Sequence, residues 1–120
     1  MRTVVLGASP NPDRYAYRAV KLLVENNHEV IAVGIKQGNI GNIQIQNAKP
    51  QLNQVHTITL YLGAERQKEY YDYILQLKPK RVIFNPGTAN PELEELLLQN
   101  NIDMVFDCTL MMLDGNRYEL

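Results

Sequence analysis

An apolar strand, Thr3-Val4-Val5-Leu6, runs directly into Gly7-Ala8-Ser9-Pro10-Asn11-Pro12-Asp13-Arg14 and then into a helical pattern. This junction constrains the chain more than any other segment. A nearly all-apolar strand is read as buried on both faces, as in a parallel sheet. Parallel strands need long crossover connections, usually helices. A strand feeding a Gly-containing turn into a helix N-terminus is also where such sheets hold phosphates, because unpaired N–H groups and the helix dipole favour an anion there. The turn therefore points to a nucleotide or phosphorylated-cofactor site at Gly7, Ala8 and Ser9. Its plainer alternative is an ordinary strand-to-helix junction capped by Asp13.

The turn is not the dinucleotide fingerprint, which needs Gly-x-Gly-x-x-Gly. Ala8-Ser9 stands where the second Gly would allow close approach of a pyrophosphate, and no third Gly follows. Ser9 offers instead a hydroxyl that can donate to a phosphate oxygen.

The alternation continues along the chain. Arg14–Asn26 reads as a helix, with Ala16, Ala19, Val20 and Leu23 on one face. Glu29–Ile35 reads as the second strand. Residues 36–54 are rich in Gln, Asn and Gly and read as a loop with a short edge strand. Val55–Leu62 is the third strand, and Ala64–Leu77 a helix stopped by Pro79. Arg81–Phe84 is the fourth strand. Asn90 caps a helix that opens with Pro91 and carries Glu92, Glu94 and Glu95. Ile102–Phe106 is the fifth strand, followed by Cys108 and a short tail. The expected fold is α/β: one Rossmann-like domain over residues 1–120, a parallel sheet with helices on both faces.

Ligands in such sheets bind beyond the carboxyl ends of the strands, at a topological switch point. Five segments meet that rule: Gly7–Arg14, Gly34–Gly38, Tyr61–Arg66, Asn85–Asn90 and Asp107–Thr109. Within them, Arg14 can pair bidentately with a phosphate. Lys36 follows the second strand, where NAD sites place an acid on the ribose. A cation there suits a ribose-linked phosphate, as in NADP or coenzyme A. Asn85 enters the same edge, and Gly87 permits close backbone approach. Tyr15 and Tyr17 are candidates for packing or for contact with a base. Cys108 is either a small buried hydrophobe or a thiol on the ligand edge able to form a mixed disulfide with a thiol ligand.

Composition narrows the partners. A net charge of −1 gives no reason to expect nucleic acid or a membrane surface. No apolar run approaches the roughly 20 residues that span a bilayer. One cysteine excludes an intrachain disulfide. A cytoplasmic protein with a small-molecule ligand is expected, with a homo-oligomer or a protein partner left open. His28 and His56 fall at the opposite ends of their strands, and neither a metal set nor a Ser/His/Asp arrangement is visible.

Gly7-Ala8-Ser9, Asn11-Pro12, Arg14–Val20, His28–Val33, the Gly41 region and Asp107-Cys108 together resemble the small stand-alone CoA-binding domain proteins of bacteria. These are Rossmann-like and related to the N-terminal domain of the succinyl-CoA synthetase α subunit. The resemblance implies coenzyme A, or an acyl-CoA, with Gly7, Ala8 and Ser9 at its phosphates and Lys36 near the adenosine phosphate. The chain departs from the family where members read Pro-Val-Asn-Pro after the second strand; here the residues are Ala32-Val33-Gly34-Ile35-Lys36. The larger synthetases add a phosphohistidine domain and a nucleotide-binding domain, so the implied role is binding without catalysis by this chain alone. An NADP-binding oxidoreductase or redox sensor is the competing expectation.

Overall fold

The structure, a computed structural model, describes residues 1–119. Five parallel strands form one sheet in the order β2-β1-β5-β6-β7: β1 Thr3–Leu6, β2 Val30–Val33, β5 Thr57–Leu60, β6 Arg81–Phe84 and β7 Asp103–Phe106. The β1–α1–β2 unit, with α1 over Tyr15–Glu25, winds to one side and the rest of the chain to the other. The order therefore reverses between β1 and β5, which makes the carboxyl end of β1 the switch point.

The pleat sorts the core into two layers. Val4, Leu6, Ile58, Leu60, Val82 and Phe84 face α3 (Tyr71–Leu77) and α4 (Pro91–Gln99), packing on Tyr73, Ile74, Leu77, Leu93 and Leu97. Val5, Ala32 and Ile83 face α1 (Tyr15–Glu25) and α5 (Thr109–Asp114), packing on Ala16, Val20, Leu23, Met112 and Leu113. All four residues of β1, β5 and β6 are buried, as expected for strands covered on both sides.

Several segments differ from the sequence expectations. Most strands are shorter by a residue or two at their ends. Residues 36–54 hold a small antiparallel hairpin, β3 Asn39–Ile40 with β4 Ile43–Gln44. Gln46 then bridges to the outer side of β2: its N–H donates to Ala32 O at 2.8 Å, and its carbonyl accepts from Gly34 N at 3.0 Å. The helix expected over Ala64–Leu77 is broken into α2 (Ala64–Gln67), a 3₁₀ turn over Lys68–Tyr70, and α3. Lys49 Nζ donates to Glu69 O at 2.7 Å, drawing on a carbonyl that an unbroken helix would give to Tyr73 N–H. The stretch after Cys108 forms α5, with Thr109, Met112 and Leu113 buried.

Candidate functional site

A cleft of about 460 Å³ opens above the carboxyl end of β1. Its walls come from the segments that follow β1, β2, β5 and β6, the four loops that meet at the switch point. Its volume lies within the range of small-molecule sites.

The floor is the turn Gly7-Ala8-Ser9. Gly7 has φ +98°, and a Cβ there would lie 2.9 Å from Leu62 and 3.0 Å from the Tyr61 carbonyl carbon, so both conformation and space require glycine. The N–H groups of Gly7 and Ala8 do not point at a ligand: both donate to Val33 O, at 2.8 and 2.9 Å. They lock the turn onto β2 instead. Ser9 Oγ accepts from Asn11 N at 3.2 Å, which leaves its hydroxyl proton to donate elsewhere. Asp13 does not cap α1. The N-cap is Arg14, no side chain caps the helix, and Asn11 Oδ1 takes the Asp13 N–H at 3.0 Å. The N–H groups of the first turn therefore have no intrahelical partner, and Tyr15 and Ala16 of that turn line the cleft.

Gly34 completes the junction. A Cβ built on it would fall 2.3 Å from Ala8 O, so the β1–α1 turn and the end of β2 touch backbone to backbone. The sequence put Gly34 at the end of the second strand and at the start of the ligand-edge segment Gly34–Gly38, but did not show that the position requires glycine. Only the pairing of β1 with β2 brings it against Ala8.

Arg14, Lys36 and Arg66 all line the cleft, with Glu69 as the acid among them. Three cations from three separate segments, one of them α2, make the cleft attractive to a polyanion. Arg66 was inside a segment named as edge-forming but was not singled out, because its approach to the cleft depends on the turn of α2. Arg18 lies one turn further along α1, with its guanidinium 5.6 Å from the centre of the Tyr15 ring. Tyr15 is 66% exposed at the mouth, whereas Tyr17 packs against the α1/α5 layer.

Six of the seven residues singled out from the sequence, Gly7, Ala8, Ser9, Arg14, Lys36 and Gly87, come together in this cleft. Asn85 lies beneath it, 3% exposed. Its Nδ2 donates to Thr59 Oγ1 at 2.6 Å and to Leu60 O at 2.8 Å, and its Oδ1 accepts from Thr109 N at 2.9 Å. Those bonds join β5, β6 and α5 and leave its amide engaged within the fold. Thr88, its neighbour across the turn, donates to Asn85 O at 2.7 Å and reaches the cleft wall. Cys108 is half-buried at the N-cap of α5 and lies outside the cleft lining. Tyr61 lines the cleft and packs against the α1/α5 layer, and its hydroxyl is buried without a hydrogen-bond partner among the described residues. Burial pushes that phenol well above its usual range.

Gln67, fully buried, ties two walls together. Its Nε2 donates to Leu62 O and to Thr88 O, each at 2.8 Å, and its Oε1 accepts from Asn90 Nδ2 at 2.8 Å. Nothing in the local sequence marks this glutamine, which sits among exposed polar residues of α2.

Among the described residues no helix is long and apolar enough to cross a membrane. No curated protein matches the chain. A crystal structure of an uncharacterized protein is 49% identical over 98% of this chain and 97% of that one, with a TM-score of 0.95. Two more distant structures share the fold. One, from Thermus thermophilus, is 22% identical over 98% of this chain and 90% of that one, with a TM-score of 0.84. The other, a hypothetical protein from Pyrococcus horikoshii OT3, is 21% identical over 95% and 81%, also at 0.84. The family described as CoA binding domain matches residues 1–114, which takes in every strand of the sheet and every loop of the cleft. With the Rossmann-like sheet and the family match in agreement, the chain belongs to the CoA binding domain family.

Proposed function

We propose that this chain binds coenzyme A or an acyl-CoA in the switch-point cleft and performs no catalysis alone. The observation that carries the reading is the convergence of Arg14, Lys36 and Arg66 on the turn Gly7–Ser9 in a chain of this family. Coenzyme A presents a diphosphate and a ribose-linked phosphate, so a cleft with three separated cations suits it. The diphosphate lies over Ser9 and the first turn of α1, where the hydroxyl, the uncapped N–H groups and Arg14 supply donors. Lys36 takes the ribose phosphate. Gly87, with φ +88° and nothing within 4 Å of a Cβ position, leaves room for the chain of the ligand beside Pro86 and Thr88. The cleft lining includes no histidine or cysteine.

Thermal unfolding with coenzyme A, NADP and NAD tests the reading. Coenzyme A at about 100 times its dissociation constant should add roughly 2.7 kcal/mol. For a chain of this size that raises the melting temperature by about 10 °C. NAD, which lacks the ribose phosphate, should shift it far less. An equal or larger shift with NAD would overturn the assignment.

Lys36 has a separate test. Its side chain is exposed, and its carbonyl is held by Asn47 Nδ2 at 3.2 Å, which fixes the backbone from which it reaches. Wild type should prefer coenzyme A over dephospho-CoA by about tenfold, the worth of a charged hydrogen bond of about 1.5 kcal/mol. In Lys36→Ala that preference should largely vanish while affinity for dephospho-CoA stays the same. Calorimetric titration of both ligands reads the ratio. A ratio unchanged by the substitution assigns Lys36 to the solvated surface.

A further inference from the structure

The two edges of the sheet are treated differently. The β2 edge is covered, because Gln46 bonds to Ala32 and Gly34. Among the described residues nothing pairs with the outer side of β7. β7 pairs with β6 on one side through Asp103 N to Lys80 O, at 3.2 Å, and Asp107 N to Phe84 O, at 3.3 Å. Alternation along the strand then directs the N–H and C=O groups of Met104 and Phe106 outward. An open edge is a template for another strand, and folded proteins usually blunt it with lysine, proline or a bulge. None of these interrupts Asp103-Met104-Val105-Phe106.

Met104 and Val105 of this edge are half-buried, and Phe106 is apolar and exposed. Phe106 is 59% exposed even though its ring stacks on Phe84, with centroids 5.1 Å apart. Leu98 of α4, the helix packed on β7, is 62% exposed. Beside them lies a charged set on the other face. Arg117 pairs with Asp107, and Asp103 is exposed with no ion-pair partner among the described residues.

We propose that a second copy of this chain pairs with the β7 edge, antiparallel, with Val105 opposite the partner's Val105. A two-fold axis through that residue makes the contact isologous and self-limiting. Met104 then lies opposite the partner's Phe106, and the outward backbone groups of those two residues exchange hydrogen bonds, twice by symmetry. The thioether meets an aromatic ring on the α4 face, a favourable contact. On the opposite face Asp103 lies across from the partner's Asp107, whose Arg117 supplies the cation between the two carboxylates. The charge pattern favours this register over a shift of one pair, which would set Asp103 opposite the partner's Val105. The result is a continuous ten-stranded sheet with both clefts open. The pairing does not depend on what the cleft binds.

Sedimentation equilibrium should give a dimer at micromolar concentration for the wild-type chain. Phe106→Lys should be a folded monomer by circular dichroism and sedimentation. Each dimer carries the substitution twice, so association should weaken by on the order of 100-fold or more. Register is read by oxidative cross-linking in a Cys108→Ser background. Val105→Cys should form a disulfide dimer, because paired residues across the axis bring their Cα atoms within disulfide range. Met104→Cys should not, since its symmetry mate is displaced along the strand. A monomeric wild type, or a Phe106→Lys dimer as tight as wild type, overturns the edge pairing. Cross-linking through Met104→Cys and not Val105→Cys overturns the register.

Discussion

Gly34→Ala should lower the melting temperature by about 10 °C, a loss of about 3 kcal/mol. The added methyl would stand 2.3 Å from Ala8 O, a backbone atom that cannot rotate aside. Relief requires moving the β1–α1 turn away from β2. That turn is held by the bonds of Gly7 N and Ala8 N to Val33 O, so the displacement strains two hydrogen bonds as well. It also shifts Ser9 and the start of α1, and ligand affinity should fall with stability. Gly63→Ser is the control. Gly63 has φ −68°, a Cβ there meets nothing within 4 Å, and serine is a good N-cap for α2. The control should melt at or above the wild-type temperature. If Gly34→Ala melts within about 2 °C of wild type, the turn yields freely and the backbone contact is not a constraint.

Gly34 also illustrates what the sequence could and could not disclose. The β1–turn–α1 unit was legible because its signals are local: an apolar strand, a glycine and a 3.6-residue period on Ala16, Ala19, Val20 and Leu23. Arg81–Phe84 and the Asn90-capped α4 were legible for the same reason; Asn90 Oδ1 does accept from Glu92 N and Leu93 N. The need for glycine at position 34 is not local. It arises from a carbonyl 26 residues earlier, brought close by strand pairing. Gln67 is buried and the exposed Arg66 reaches the cleft because α2 is short and gives way to a 3₁₀ turn at Lys68. Asn85 carried the composition of a ligand group, yet the spacing of β5, β6 and α5 spends its amide internally. Alpha-helix α5 was read as a tail because six residues are too few for periodicity to register. Sequence pattern thus located the cleft through its loops. Which polar groups reach the cleft and which bind the loops together was decided by tertiary contacts.

The second large effect concerns the group that binds the loops together. Gln67→Leu should destabilise the chain by about 3 kcal/mol, since a similar-sized side chain removes both donors and the acceptor while leaving their buried partners in place. The carbonyls of Leu62 and Thr88 and the amide of Asn90 lose the partners they have at 2.8 Å. Gln67→Glu gives a sharper test, because its effect depends on pH. A carboxylate at this position would direct an oxygen at two carbonyl oxygens, so the folded state favours the protonated acid. The folded pKa of the new group is then raised above the unfolded value of about 4.3. For a raised pKa, stability is fully present below the unfolded value and is lost as pH rises through the folded one. A protonated acid offers one O–H donor in place of the two N–H donors, so the deficit of Gln67→Glu against wild type should be present near about pH 4 and clearly larger near about pH 8. Gln67→Leu carries no titrating group, and its deficit should be the same at both. Urea unfolding of the three proteins at the two pH values measures this directly. A Gln67→Glu deficit that is equal at both, or larger in acid, would show that the side chain at position 67 does not face the Leu62 and Thr88 carbonyls. The two cleft walls would then be held by something other than this amide.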